Sequence, residues 1–129
     1  MESGKPRKQR LFRDNAPMHM RQHFVNAHIS KELKAKLGIK RRSIEIRRGD
    51  TVKIMAGGNK GKTGKVLEVD LNNYVITVDG IIKKKSKGKE IHIPISASNV
   101  YLTDLDLTDK RRSGKLEALK GGKAAATVK

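Results

Sequence analysis

The segment GDTVKIMAGGNKGKTGKVLEVD, residues 49–70, has the pattern of two strands joined by a glycine-rich loop. Val52 and Ile54 alternate with polar residues in the first strand, and β-branched residues recur in the second, residues 65–70. The intervening glycines permit positive backbone angles and allow another backbone to approach closely. The segment therefore predicts a β-hairpin.

The same loop contains AGGNKGKT, residues 56–63, which is similar to a nucleotide-binding P-loop except for Ala56 at its first position. A P-loop leads directly into a helix whose first amides bind phosphate. Here Thr63 leads through Gly64 into a strand-like segment, so the sequence lacks that helix. An NTPase is one alternative, but we expect a protein that is not an enzyme and has neither catalytic residues nor a cofactor.

Further strands are predicted by short apolar runs between turn residues. Asn72-Asn73 leads into YVITV, Asp79-Gly80 leads into IIKKK, and SKGKE precedes IHIPI and NVYLTDLDL. Pro94 suits an edge strand or a strand end. The alternation of Asp104 and Asp106 with leucines is typical of the solvated side of an edge strand rather than of paired catalytic carboxylates. We predict a mainly β fold, with a small barrel over residues 49–109.

Basic residues are distributed unevenly along the 129-residue chain, whose formal net charge is +17. Residues 1–48 hold 14 basic and 4 acidic residues, residues 49–109 hold 9 and 8, and residues 110–129 hold 7 and 1. We therefore expect a near-neutral domain between a basic N-terminal extension and a basic C-terminal tail, which is partly flexible after residue 120. Blocks of like charge often contact polyanions, so we expect a nucleic-acid partner and no small-molecule substrate.

Two short helices are predicted in the N-terminal extension. The first is capped by Asn15, has Pro17 in its first turn and covers PMHMRQHFVNAH. The second is capped by Ser30, covers KELKAKL and ends at Gly38. The preceding KPRKQR, together with Arg13, is predicted to be extended and basic.

Several classes of site are not expected. Cysteine is absent, so neither a disulfide framework nor a thiolate metal site is expected. His19 and His23 have the spacing of a zinc-binding pair, but Met20 stands where a zinc protease has Glu, and we expect no metal. No apolar run approaches the roughly 20 residues that span a bilayer. A soluble intracellular protein without membrane insertion is the expectation.

The hairpin at residues 49–70 resembles a KOW motif, a strand-loop-strand element with a characteristic glycine that Gly61 or Gly64 would supply. The resemblance continues through PRKQR, NAPMHMR, AHISKELKAKLGIKRRS, RRGDTVKIMAG, KGKTGKVLEVD and PISASNVYLTDLDL, over about residues 5 to 112. In this order the segments resemble the archaeal and eukaryotic form of a universal large-subunit ribosomal protein family, number twenty-four in the bacterial series and twenty-six in the eukaryotic one.

This resemblance implies an SH3-like β-barrel that binds the 5′ domain of large-subunit ribosomal RNA, assists early subunit assembly and lies near the polypeptide exit tunnel of cytoplasmic ribosomes. Neighbouring large-subunit proteins, and factors docking near the tunnel, are the implied protein partners. A KOW-type transcription or translation regulator is the alternative. The chain departs from the family pattern at Gly58, where a larger and often charged residue is expected, and at Glu45, where proline is expected.

Most predicted RNA contacts are basic side chains in these segments, which would bind phosphates and sugars. A solvated charged face is the alternative for the arginines at residues 41–48, and protection of an edge strand is the alternative for the lysines at residues 83–89. For His19 and His23, base stacking or phosphate contact and plain solvent exposure both remain open. The predicted residues are Lys5, Arg7, Lys8, Arg10, Arg13, His19, Arg21, His23, Arg41, Arg42, Arg47, Arg48, Gly57, Asn59, Lys60, Gly61, Lys62, Thr63, Lys65, Lys83, Lys84, Lys85, Lys87, Lys89, Lys110, Arg111 and Arg112.

Overall fold

The computed structural model describes residues 3–120, so the flexible tail predicted after residue 120 lies outside the described residues. Seven strands and a few short helices make up this part of the chain. The helices are α1 (Pro6–Asp14), α2 (Met18–Arg21), α3 (Lys31–Leu37) and α4 (Lys110–Lys120), with 3-10 turns at Gln22–Phe24 and Ala97–Asn99. The strands are β1 (Asn26–Ile29), β2 (Ser43–Glu45), β3 (Thr51–Ile54), β4 (Thr63–Asp70), β5 (Val75–Lys84), β6 (Glu90–Ser96) and β7 (Val100–Asp104).

The strands form one sheet in the order β2-β1-β7-β3-β4-β5-β6. Strands β1 and β7 are parallel, and the other neighbours are antiparallel. The two edge strands line the same open groove of about 1000 Å³, with Glu45 from β2 and Ile91 and His92 from β6. The sheet is therefore curled, as in a small SH3-like barrel, and the predicted mainly β class is confirmed.

The core lies inside this curled sheet. Alternating residues of β3 and β7 are buried, among them Val52, Ile54, Val100 and Leu102. Full burial of each such side chain stabilises the fold by about 1.5–3 kcal/mol relative to exposure. The alternation seen in the sequence of the predicted hairpin is thus the alternation between core and solvent.

The hairpin at residues 49–70 is confirmed, because β3 and β4 pair in antiparallel register. Pro94 lies on the edge strand β6, as predicted. The turn predicted at Asp79-Gly80 is wrong, since both residues lie inside β5, where Gly80 has φ 76° and the pairing with β6 changes register. An irregularity in a continuous strand therefore gave the sequence signal of a turn.

The prediction of an edge strand around Asp104 is also wrong. Strand β7 lies between β1 and β3 and ends at Asp104. The neighbour on its other side, β1, comes from the segment that the sequence placed in a helix. Pairing between strands so distant in sequence leaves no local signal, so β7 was not predicted as a central strand.

The second predicted helix is confirmed and the first is only partly present. The Ser30 hydroxyl accepts the Leu33 backbone N–H at 3.2 Å, and α3 ends at Gly38 with φ 64°. The first predicted helix stops after α2 and one 3-10 turn, and Asn15 does not cap it, since Pro17 holds that position. Residues from Asn26 onward form β1, because Ala27 and Ile29 alternate into the core.

The prediction that KPRKQR is extended holds only for Lys5 and is wrong for residues 6–10, which begin α1. Pro6 occupies the first turn, where proline is tolerated. The helix is attached to the rest of the molecule through Phe12, whose ring lies edge-on to Phe24 at 6.1 Å. An isolated helix of this length is marginal in water, so this tertiary contact, invisible in the local sequence, favours the helix.

Across residues 3–120, no helix combines the length and the apolar character that crossing a membrane requires.

Candidate nucleic-acid interface

The loop at residues 55–62 is closed by hydrogen bonds at its base. The Gly61 N–H donates to the Ile54 carbonyl at 2.8 Å, and the Ile54 N–H donates to the Lys62 carbonyl at 2.9 Å. Gly61 has φ 89°, a left-handed conformation that favours glycine. Thr63 then enters β4 rather than a helix, so the loop lacks the helix N-terminus on which a P-loop depends.

Gly64 has a different role from the loop glycines. A Cβ atom built at this position would lie 2.5 Å from the Asp79 carbonyl oxygen and 2.6 Å from a Val78 methyl carbon. Glycine therefore allows β4 and β5 to approach each other. Gly58, by contrast, has open space around it, and a side chain there would meet nothing within 4 Å.

The loop presents cations to solvent. Lys60 and Lys62 are exposed, and the Lys62 ammonium donates to the Asn59 side-chain oxygen at 3.1 Å. Thr63 and Lys65 are also exposed, on the outer face of β4. These are the residue types that contact phosphate oxygens in nucleic-acid interfaces.

A second group of lysines lies where β5 turns into β6. Lys83, Lys84, Lys85, Lys87 and Lys89 are all exposed. Lys84 faces Glu90 at 3.4 Å, an exposed ion pair that contributes little to stability. The other lysines of this group have no carboxylate within 4.0 Å among the described residues.

The strand order brings these two groups of lysines to the same end of the sheet. Strand β4 is antiparallel to both β3 and β5, and β5 is antiparallel to β6. The β3–β4 loop and the β5–β6 hairpin therefore leave the sheet in the same direction. We call this surface the lysine end, and its members are Lys60, Lys62, Lys83, Lys84, Lys85, Lys87 and Lys89.

Helix α1 lies at the opposite end, against the turn between β4 and β5. The Tyr74 hydroxyl donates to the Arg13 carbonyl at 3.0 Å. The Arg13 guanidinium lies 4.5 Å from the centroid of the Tyr74 ring, a cation–π contact. The remaining basic side chains of this segment are exposed, and we call this surface the arginine end: Lys5, Arg7, Lys8 and Arg10.

The β4–β5 turn that supports α1 is organised by Asp70. Its carboxylate accepts the Asn73 side-chain amide and the Asn72 backbone N–H, both at 2.8 Å. These hydrogen bonds, that of the Asn73 side chain first, hold the pKa of Asp70 below its usual value. The turn is therefore fixed by an ionised carboxylate at neutral pH.

Arg21 joins this turn to the start of the chain. Its Nε donates to the Ala16 carbonyl at 2.8 Å, its Nη2 donates to the Asp14 carbonyl at 3.0 Å, and its Nη1 donates to Asn72. Because all three acceptors lie inside the protein, Arg21 holds α1 and α2 close to the β4–β5 turn.

The two histidines predicted as contacts are in different surroundings. His19 is exposed on α2, whereas the His23 Nδ1 lies 2.6 Å from a carboxylate oxygen of Glu45. Glu45, one of the two departures from the family pattern, thus forms a contact between β2 and the 3-10 turn. Within residues 3–120 there is no group of three or more His, Cys, Asp or Glu side chains arranged to hold a metal.

Four arginines flank β2. Arg41 and Arg42 are exposed just before this strand, and Arg48 is exposed after it. Arg47 is half-buried and forms an ion pair with Asp109. Lys110 and Arg111 are exposed at the start of α4.

Arg112 is the one predicted contact that is buried, with 4% of its surface exposed. Its two terminal nitrogens lie 2.5 and 2.7 Å from the carboxylate oxygens of Asp50, which is fully buried. They also donate to the carbonyls of Asp106 and Glu45, at 3.0 and 3.1 Å. All of these partners lie within the protein, so Arg112 joins α4 to the barrel. It is not among the residues that we propose contact RNA.

The acidic residues near α4 hold local structure. Asp106 accepts the hydroxyl and the backbone N–H of Thr108, and these bonds lower its pKa. Asp109 accepts the Arg111 backbone N–H at 2.8 Å at the start of α4, and this bond, followed by the Arg47 side chain, lowers its pKa. Both carboxylates therefore serve as turn and helix-capping acceptors.

Sequence reasoning missed Lys53 and Asp50. Lys53 is exposed on the outer face of β3, directly across from Thr63. Its alternation with Val52 and Ile54 was a usable signal for an outward-facing cation beside the loop. Asp50 forms an ion pair with a residue 62 positions away, and such a long-range contact leaves no local signal in the sequence.

Comparisons with known proteins agree on one family. A family model that describes the eukaryotic L26 ribosomal proteins and their archaeal counterparts matches residues 3–118. The chain is 50% identical to the large ribosomal subunit protein uL24 of Methanothrix thermoacetophila over 87% of this chain and 95% of that protein. It is 44% identical to the protein of the same name from Saccharolobus solfataricus, over 93% and 99%. The chain therefore belongs to the ribosomal protein family that comprises the eukaryotic L26 proteins and their archaeal counterparts.

Proposed function

We propose that this chain is a structural constituent of the large ribosomal subunit and that it contacts ribosomal RNA through two separate surfaces. The observation that carries the proposal is the family match over residues 3–118, with relatives named as large-subunit proteins. Membership of this family also supports a location in cytoplasmic ribosomes and a role that is not enzymatic.

The lysine end is the first proposed RNA surface. Its side chains project from two neighbouring hairpins, and Lys65 and Lys53 extend the charge along the outer face of the sheet. Ammonium groups bind phosphates without regard to sequence and release counterions on binding. We assign this surface to phosphates of folded RNA.

The arginine end is the second proposed surface. The exposed basic side chains of α1 are carried on a helix that Phe12 and Arg13 attach to the aromatic rings of Phe24 and Tyr74. Double-stranded RNA is recognised mainly by shape and by backbone contacts. A helix held in a fixed direction is suited to that kind of contact.

Two surfaces at opposite ends of the sheet support a role in assembly. RNA bound to the β3–β4 loop and RNA bound to α1 approach the molecule from different directions. A protein that binds both would hold two RNA segments in a fixed relation, which favours the folded arrangement of the RNA by mass action. We therefore extend the proposal to early subunit assembly; the choice of the 5′ domain of the large-subunit RNA comes from the family resemblance. A position near the exit tunnel, with neighbouring proteins and docking factors as partners, rests on the family resemblance.

Purification of ribosomes tests the proposal. A tagged form of the chain is expected to remain with large subunits through a wash at moderate salt. The variant Lys60→Gln with Lys62→Gln should be released at lower salt, because phosphate contacts determine the salt dependence of binding. The matched control is Lys31→Gln with Lys36→Gln, which removes the same charge from exposed positions on α3.

Recovery of the protein mainly on RNA polymerase would contradict the proposal and would favour the KOW-type regulator. Release of the Lys60→Gln, Lys62→Gln variant at the same salt concentration as the unaltered chain would show that the loop lysines contact no RNA.

A further inference from the structure

The aromatic residues of this chain are few and unevenly placed. It has two Phe and two Tyr residues, and three of them, Phe12, Phe24 and Tyr74, form a single edge-to-face cluster. Tyr101 lies elsewhere, on the outer face of β7, where 38% of its surface is exposed. Its ring is therefore separate from the cluster that the other three rings form.

Tyr101 belongs to a row of outward-facing residues that crosses four strands. His28 of β1 and Lys53 of β3 are directly across from it on either side, and Thr63 of β4 is directly across from Lys53. Neighbouring strands lie about 4.8 Å apart, so the row spans about 14 Å.

The contact between His28 and Tyr101 orients the tyrosine ring. The ring centroids are 5.7 Å apart and the planes are inclined at 69°, an edge-to-face arrangement. In such a pair the edge of one ring meets one face of the other, so at least one face of each ring takes no part in the contact. A planar group can therefore stack on this pair.

The surroundings of the row are basic. Thr63 follows Lys62 of the loop at one end, and Ser43, which pairs with His28, follows Arg42 at the other. The row itself contains Lys53 and no acidic residue. An exposed aromatic ring flanked by cations is the combination that binds unpaired nucleotides, because every base has a face that stacks and every phosphate is anionic.

We propose that the row His28, Tyr101, Lys53 and Thr63 binds one unpaired nucleotide of RNA, with its base stacked on Tyr101 and its phosphate at Lys53. The inference rests on the RNA-binding function proposed above and adds a base contact to its phosphate contacts. Phosphate contacts give affinity, whereas this row distinguishes single-stranded from paired RNA.

Binding to a transcript of the 5′ domain of large-subunit RNA, measured over a range of salt concentrations, tests the row. Tyr101→Thr introduces a residue that also favours strands, and it should weaken binding about tenfold with an unchanged salt slope, whereas Tyr101→Phe should bind like the native chain. Lys53→Gln should reduce the log-log salt slope by about 0.7 to 0.9. Leu107→Thr, which alters another exposed apolar side chain outside the row, is the control.

A second measurement uses the native chain, so it does not depend on how the variants fold. Irradiation of the complex with a transcript that carries 4-thiouridine should crosslink the peptide containing Tyr101. If Tyr101→Thr binds the transcript as tightly as the native chain, the proposed nucleotide site is wrong. It is also wrong if Tyr101 contacts a neighbouring protein instead of RNA in reconstituted subunits. Either result would leave the proposed phosphate surfaces intact. Failure of the native chain to bind the transcript would overturn the proposed function as well.

Discussion

The guanidinium of Arg112 and the carboxylate of Asp50 form a buried ion pair that joins helix α4 to the barrel just before strand β3. Both side chains are at least 95% buried, and their closest atoms are 2.5 Å apart. Asp50 also accepts the backbone N–H groups of Arg47 and Asp106, at 2.9 and 3.0 Å. One carboxylate therefore organises three separate segments of the chain.

Arg112→Met should destabilise the protein by about 3–5 kcal/mol, because it leaves the Asp50 carboxylate buried without its cation. Arg111→Met, at the adjacent exposed position, should change the free energy of unfolding by no more than about 0.5 kcal/mol. Urea unfolding of the two variants measures the difference. Equal urea midpoints for the two variants would show that the buried ion pair adds no more stability than the exposed Arg111 side chain.

The carboxylate of Asp109 should make stability depend on pH in the acid range. Its pKa is lowered in the folded state by the Arg111 N–H and the Arg47 side chain, so the unfolded chain takes up this proton first as the pH falls. The stabilisation is complete above the unfolded pKa and is lost as the pH falls through the lower folded pKa. Asp109→Asn should flatten the fall in unfolding free energy below about pH 4, whereas Glu117→Gln on the exposed side of α4 should not. Identical pH profiles for the two variants would contradict this role.

Two neighbouring glycines should respond differently to alanine. Gly64→Ala places a Cβ atom within 2.6 Å of both β5 contacts and should cost about 1–3 kcal/mol. Gly58→Ala meets open space and should leave stability nearly unchanged. Thermal unfolding distinguishes the two variants. If Gly58→Ala loses stability and Gly64→Ala does not, β4 and β5 are not in close approach at Gly64.

Gly58→Lys tests whether glycine at this position lacks an RNA contact that the larger, often charged residue of the family pattern would make. The open space admits the side chain, and an added phosphate contact should steepen the log-log salt dependence of RNA binding by about 0.7 to 0.9. Ala35→Lys, at an exposed position on α3 outside both proposed RNA surfaces, is the control. An unchanged slope for Gly58→Lys would place the tip of the loop away from the RNA.

The elements that could be predicted from the sequence are those whose signals are local. Alternation in TVKI and the glycines after it predicted the β3–β4 hairpin, and Ser30 with Gly38 predicted both ends of α3. Strand β1 was missed because its pairing partners are β2 and a parallel strand more than seventy residues away. Helix α1 was missed because its attachment through Phe12 is a tertiary contact.

The same distinction applies to the candidate site. The exposed lysines of the β3–β4 loop and the β5–β6 hairpin could be identified from composition, but their position at one end of the sheet required the strand order. The run Lys110-Arg111-Arg112 has the sequence pattern of a uniform charged stretch, and only the fold separates two exposed side chains from a buried one. Charge patterns therefore predicted the kind of partner, and topology decided which side chains are free to meet it.

The central claim, that two opposite ends of this protein contact different segments of large-subunit RNA, is tested most directly by crosslinking in assembled subunits. Crosslinks from Lys60 and Lys62 should map to one group of nucleotides, and crosslinks from Arg7 and Arg10 of α1 should map to a second group separate from the first. Crosslinks from both ends to a single group of nucleotides, or to protein alone, would contradict the claim.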